Sequence, residues 1–325
     1  MKKTPESESD AGDAPVRPGH RDWRFERGMR LFGSAGMKKL AASHVAVFGL
    51  GGVGSYAVEG LARSGVGRLT LVDFDLVCIT NINRQLHALT RTVGQSKAEL
   101  MGSRVRDINP KAEVRVAAEF YDKNTSDRLL DPRPDVVIDC IDNVTAKMHL
   151  VATCVGKGIP IVTALGSGAK FDPTRIRIVP LTETHTDPLG RALRKHIRRK
   201  HPVTDEQLAR VVAVFSDEPV VLPITDHGGV VCGVDCVCPN HDNAYHTCKQ
   251  RHVIYGTAAF VTSVFGMAAA SAAVRMLLGR EPFSRVVTCE TCGNVVDPTR
   301  PTRTEAKRRP GTVARRPDRE DDTAV

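Results

Sequence analysis

The chain has 325 residues, with 46 Lys and Arg against 37 Asp and Glu, a net charge of +9 and nine cysteines. A 41 % apolar content rules out a wholly disordered chain, and the length gives room for one large or two modest domains. The odd cysteine count, with acidic and polar residues rather than an apolar stretch after Met1-Lys2-Lys3, argues against a secreted disulfide scaffold and for a reducing, cytoplasmic setting. The positive excess is compatible with a polyanionic partner and says nothing about fold.

Residues 1–20 are polar, without period, and are expected to be disordered. Trp23 to Ala42 reads as a helical lead-in with Phe25, Met29, Phe32 and Leu40 as its apolar positions. From His44 onward, strands and helices alternate. Strands are predicted at 44–49, 68–73, 113–118, 135–140, 159–164 and 175–180, with helices near 53–64, 95–108, 124–130 and 143–157. That alternation implies a parallel sheet covered on both faces. The fold class expected is α/β, a doubly wound and mainly parallel sheet with a C-terminal extension.

Past residue 181 the pattern loosens. A helix at 187–201 leads into a mixed segment, 202–252, holding Pro, Gly, His and four cysteines. Val253 to Val274 then carries no charged residue. It is long enough to span a bilayer, but its Ala, Gly, Ser and Thr content favours a buried or subunit-interface helix over membrane association. The expected divisions are a disordered 1–20, an alternating α/β domain at 21–182, a C-terminal region with the basic helix and the Cys/His-rich segment at 183–297, and a disordered tail at 298–325. The tail is rich in Arg, Pro and Thr and offers no apolar period to offset ordering entropy.

The chemistry concentrates in five places. Gly49-Leu50-Gly51-Gly52-Val53-Gly54 follows an apolar strand and opens a helix. Its glycines allow a tight turn, close approach to a phosphate and close helix–strand packing, while the helix N-terminus favours an anion. Asp73 ends the second strand, at the spacing of a ribose-binding acid. Asn81, Asn83 and Arg84 lie just past it, where a dinucleotide oxidoreductase needs no cation but a triphosphate does. Lys97 opens the next helix as a second cation. Asp142 lies at the carboxyl edge of the fourth strand, where an acid could hold magnesium. Each has a bland alternative: a surface ion pair for Arg84, a solvated lysine, an N-cap for Asp142. Together they point to an ATP site, against the alternatives of an oxidoreductase or a nucleotide-binding protein without turnover.

Arg191 to His201 holds four arginines, two lysines and two histidines with no acid. Arg194, Lys195, Arg198 and Arg199 are its candidate nucleic-acid-backbone contacts, a basic patch being the footprint of phosphate binding, with a solvated helix face as the alternative. Cys289-Glu-Thr-Cys292 is one Cys-x-x-Cys pair. With Cys236 or Cys238 it could close a structural zinc site, although Cys-x-Cys spacing suits zinc less well; free or buried thiols and a catalytic thiol are the other readings.

The block RFERGMRLFG, VAVFGLGGVGSYAVEGLARSGVGRLTLVDFD, NINRQ, VGQSKAE, INP and VVIDCIDN resembles the ubiquitin-activating-like superfamily, whose bacterial members include ThiF, MoeB and HesA. The resemblance covers roughly 24–165 and implies attack of a substrate carboxylate on ATP. It further implies that Asp73 binds the ribose hydroxyls, that Asn81, Arg84 and Lys97 contact phosphates, and that Asp142 holds Mg2+. Asp75 and Asn143, beside these acids, join the nucleotide-contacting set. Arg27 matches an arginine inserted into a neighbouring subunit's active site, which implies a homodimer.

Three further stretches, Asn83-Arg-Gln-Leu-His-Ala-Leu89, Asp172-Pro-Thr-Arg-Ile176 and Asp187-Pro-Leu189, resemble the tRNA threonylcarbamoyladenosine dehydratases within that superfamily. Those enzymes activate the threonine carboxylate of the modified adenosine, which then cyclises with loss of AMP. The rival is adenylation of a ubiquitin-like sulfur carrier, and a sulfur-relay protein is a further candidate partner.

Overall fold

Runs of Val, Leu and Ile with no polar face form strands only where both sides of the sheet are covered. In the computed structural model β1 (His44–Phe48), β4 (Val136–Asp139), β5 (Ile161–Ala164) and β7 (Val212–Ser216) are buried throughout and β2 (Arg68–Val72) all but its first residue, while the edge strands β3 (Glu113–Ala117) and β6 (Ile176–Pro180) carry exposed residues. The structure describes residues 23–223, 239 and 255–283, and the backbone of 287–288 and 295–296. The sheet order is β3-β2-β1-β4-β5-β7-β6, parallel throughout except for β6, which runs antiparallel to β7.

Helices cover both faces: α1 (Glu26–Ala42), α2 (Gly54–Arg63), α3 (Lys97–Ile108), α4 (Ser126–Leu129), α5 (Val144–Gly156), α6 (Pro188–Lys200), α7 (Asp205–Ala209) and α8 (Ala259–Leu277). Successive strand side chains alternate between the two sides. Val45 and Val47 of β1 pack in one buried cluster with Leu61 of α2, Met101 of α3 and Phe265 of α8. Ala46 and Phe48 belong to the opposite cluster with Leu150 of α5 and Leu193 and Ile197 of α6. The doubly wound arrangement expected from the alternation is what forms. α3 begins at its own signal, Ser96 capping the Glu99 N–H.

One feature differs from the sequence reading, and the charge-poor stretch packs as expected. β7 lies in a stretch read as irregular, yet all five of its residues are buried. It inserts between β5 and β6, so the division expected at 182 does not separate the chain in space. The charge-poor stretch forms α8, which packs along α2 through small residues. A Cβ on Gly60 would lie 2.8 Å from that of Ala270, and one on Gly266 would overlap the Val53 carbonyl. Among the described residues α8 is the one helix long and apolar enough to cross a membrane, and more than half of it is buried in the fold.

A compact unit ends at Phe283. A second begins at Ser284 and contains a two-stranded antiparallel ribbon, β8 (Val287–Thr288) with β9 (Val295–Val296). The expected disorder at 1–20 and 298–325 falls outside the described residues, as do Cys236, Cys238, Cys289 and Cys292.

Candidate active site

β1 has β2 on one side and β4 on the other, so the chain reverses its winding there. A crevice opens at the carboxyl ends of strands at such a point. The cleft here has a volume of about 550 Å³ and is lined by ten of the predicted residues: Gly49, Gly51, Gly52, Asp73, Asp75, Asn81, Arg84, Lys97, Asp142 and Asn143. Gly49 has φ +83°, and a Cβ there would meet the Cys140 carbonyl oxygen at 2.7 Å. Gly54 lies behind the loop, where a Cβ would overlap the Gly49 carbonyl. It therefore serves close packing, as the spacing predicts.

Asp73 is held by the backbone on both sides. Leu50 N–H donates to one carboxylate oxygen at 2.6 Å and Asp75 N–H to the other at 2.8 Å. Burial pushes this carboxyl upward, against the opposing pull of Lys97 and the two N–H donors. Lys97 is itself almost wholly buried and donates to Asp75 Oδ2 at 2.8 Å. Burial would lower the ammonium, but the Asp73 and Asp75 carboxylates outweigh it and hold it above its usual range. Lys97 is therefore no solvated helix residue. It is a fixed cation under the cleft.

Arg84 is anchored by Nη1 donating to the Thr80 carbonyl at 2.8 Å and to Asn83 Oδ1 at 2.9 Å. Asn81 spends its side-chain oxygen on the Cys78 N–H, which shapes the turn presenting Arg84. On the other wall the helix-capping role belongs to Asn143, whose Oδ1 accepts the Thr145 and Ala146 N–H groups at 3.0 and 3.1 Å. That leaves the exposed Asp142 carboxylate at the rim, so the N-cap alternative for Asp142 is not what the fold uses.

A family model described as the ThiF family matches residues 25–309. The chain belongs to the ThiF family. It is 45 % identical over 200 residues to the tRNA threonylcarbamoyladenosine dehydratase of Bacillus subtilis, covering 61 % of this chain and 77 % of that one. The Escherichia coli dehydratase is 38 % identical over 259 residues, covering 79 % and 94 %. A crystal structure of that E. coli dehydratase in complex with ATP superposes with a TM-score of 0.67 at 36 % identity over the same shares. The E. coli molybdopterin-synthase adenylyltransferase is 37 % identical over 135 residues, 42 % of this chain and 54 % of that one.

Not every predicted residue of this ThiF-family chain reaches the cleft. Arg27, on α1, is almost wholly exposed and pairs loosely with Glu26 at 3.7 Å; it does not line its own chain's cleft. On α6, Arg194 turns inward: its guanidinium donates to Thr184 Oγ1 and to the Leu181 carbonyl, and burial pulls its pKa down. Arg194 thus ties α6 to the fold, unlike the exposed cations of the same helix. Arg198 pairs with Asp205 at 2.7 Å and Arg199 lies 3.2 Å from His196 Nδ1. Lys195, Arg198 and Arg199 are exposed, and α6 starts at the cleft rim, where Leu189 is a lining residue.

The family fold also places groups that spacing did not reveal. Gly166, Ser167 and Gly168, after β5, form the wall facing the glycine loop, and Phe74, Phe120 and Tyr121 line one end. Tyr121 hydrogen-bonds Ser126 and His149, each at 3.0 Å, and packs edge-on against Phe48. The Cys140 thiol, also a lining group, is pushed up to about 12 by burial and stays protonated at neutral pH. His87, in the motif after Arg84, is buried with neither ring nitrogen hydrogen-bonded. Among the described residues no three His, Cys, Asp or Glu side chains gather as a resident metal site.

Proposed function

We propose that the protein is an ATP-dependent enzyme that dehydrates threonylcarbamoyladenosine in tRNA by adenylating its threonine carboxylate. The observation that carries this reading is the gathering of Asp73, Arg84, Lys97 and Asp142 around one cleft at the switch point. Asp73, with both oxygens already oriented by backbone N–H groups, is placed to accept ribose hydroxyls. Phe74, Phe120 and Tyr121 offer an apolar end suited to the adenine ring. Arg84 and Lys97 stand as preorganised cations where negative charge grows during attack at the α-phosphorus, the arrangement that lowers such a barrier most. The carboxylate displaces pyrophosphate; the carbamoyl group then closes on the activated carbonyl and expels AMP, for a net loss of one water.

Magnesium fits this cleft as an ion shared with phosphates rather than as a resident metal. It commonly binds through one or two carboxylates plus substrate phosphates, and Asp142 is one such carboxylate at the rim. When bound, it would supply charge neutralisation at the phosphate oxygens. Arg27, exposed on its own chain, is assigned to a second copy's cleft, so a homodimer is the proposed assembly. The exposed cations of α6 are assigned to the tRNA backbone, and a cytoplasmic location follows from that substrate.

Adenylation of a sulfur-carrier protein is the second reading. The adenylyltransferase likeness is confined to 42 % of the chain, whereas the E. coli dehydratase aligns over 79 %. Purified protein, ATP, magnesium and tRNA bearing threonylcarbamoyladenosine should yield, by nucleoside mass spectrometry, a nucleoside lighter by one water. ATP–pyrophosphate exchange that needs a carrier protein and ignores the tRNA would favour the second reading.

A further inference from the structure

Behind the cleft lies a charged cluster that the proposed chemistry never touches. Asp139 ends β4, Thr163 stands beside it in register on β5, and Lys147 sits in the first turns of α5. Lys147 Nζ and Thr163 Oγ1 each donate to Asp139 Oδ2 at 2.7 Å, and the Ile141 N–H donates to Oδ1 at 3.1 Å. Asp139 and Lys147 are wholly buried, set in the apolar layer beneath α5.

A buried ion pair is poor evidence for stability, because dehydrating two charges is costly and apolar residues of like volume often do as well. Its effect here is geometric. Asp139 accepts the Ile141 N–H of the turn that carries Asp142, while Lys147, reaching Asp139 from α5, ties that turn to the helix that follows. The same turn abuts the phosphate loop: Cys140 N–H donates to the Phe48 carbonyl at 2.8 Å, and its own carbonyl leaves no room for a Cβ on Gly49.

We propose that Asp139, Lys147 and Thr163 are positioning residues that set the Asp142 carboxylate relative to the glycine loop, so that the two share one metal–phosphate group. This rests on the reading of Asp142 as the magnesium-holding acid. The test uses the full chain and calorimetry of ATP binding with and without magnesium, alongside AMP formation. Asp139→Leu with Lys147→Met should melt near the parent and bind ATP alone as the parent does. Its gain in ATP affinity on adding magnesium should shrink about tenfold. Thr163→Val should shrink that gain two- to fivefold, and Lys147→Arg, which keeps a cation opposite Asp139, should retain most of it. Should the double variant fail to fold, Thr163→Val decides. Parent-like magnesium gain in the folded double variant, or in Thr163→Val if the double does not fold, overturns the proposal, provided Asp142→Asn abolishes the gain. A gain unchanged in Asp142→Asn itself would sink the reading of Asp142 instead, and the positioning role with it.

Discussion

The two walls of the cleft solve the same problem in opposite ways. On the β1–β2 wall, Asp73, Asp75, Lys97 and Arg84 present charge to the cleft, each fixed by a backbone group or a short ion pair. On the β4–β5 wall the cleft surface is a turn and a glycine-rich loop, Cys140–Asn143 and Gly166–Gly168, and a buried ion pair, Asp139 with Lys147, lies underneath. One wall carries the groups that meet a nucleotide. The other carries groups that hold a backbone in place, and its single rim acid, Asp142, depends on that support. Surface charge is therefore a poor guide to which wall matters more for geometry.

Substitutions of the groups that meet the nucleotide, on either wall, should have the largest effect. Arg84→Ala should lower AMP formation by about 10²–10³-fold, the cost of removing one preorganised donor to a developing anion, with circular dichroism unchanged. Asp142→Ala should match it in loss of turnover with intact folding. Retained turnover in both would mean that the walls do not meet one nucleotide. Lys97→Met should lose turnover as well, but it should also destabilise. Asp73 and Asp75 would keep their burial and lose their cation, at about 1–3 kcal/mol in urea titration.

A smaller effect concerns pH. Burial, together with the nearby cations Lys97 and Arg104, pushes His87 down to about 4. The unfolded imidazole, near 6.5, then binds more protons than the folded one. Stability conferred by the neutral ring is complete above pH 6.5 and is lost as pH falls toward 4. Between pH 7 and pH 5 this amounts to about 2 kcal/mol, and His87→Leu should flatten that part of the profile. An unaltered profile would show that His87 charges at no cost.

The smallest effect lies beyond both walls. Replacing Lys195 and Arg199 by Gln should weaken tRNA binding and lower its log–log salt slope by roughly 1–2. Arg194→Ala should instead lower the melting temperature and change that slope less than the exposed cations do, because its guanidinium is half-buried and bonded to Thr184.

Much of the first wall was legible because its signals are local. The glycine loop joins β1 to α2, Asp73 follows the end of β2, and Lys97 opens α3 just after its cap, Ser96. The basic run announced α6, but not which of its cations turn inward; that depends on Thr184 and Leu181 meeting Arg194 from outside the helix. β7 went unread although Val211–Phe215 resembles the β1 run, because a lone apolar run after a basic helix has no local partner to declare it a strand. Its partners, β5 and β6, lie 30 or more residues earlier in the chain.

The order of residues alone settled the alternating sheet, the glycine loop and the acids and cations that follow it, because backbone periodicity and loop geometry act over a few residues. Only tertiary structure decided that β7 would divide β5 from β6, that Asn143 rather than Asp142 would cap α5, and that Lys147 would reach Asp139 beside Thr163. These outcomes depend on which surfaces are buried together, and burial is a property of the assembled fold rather than of any stretch of chain.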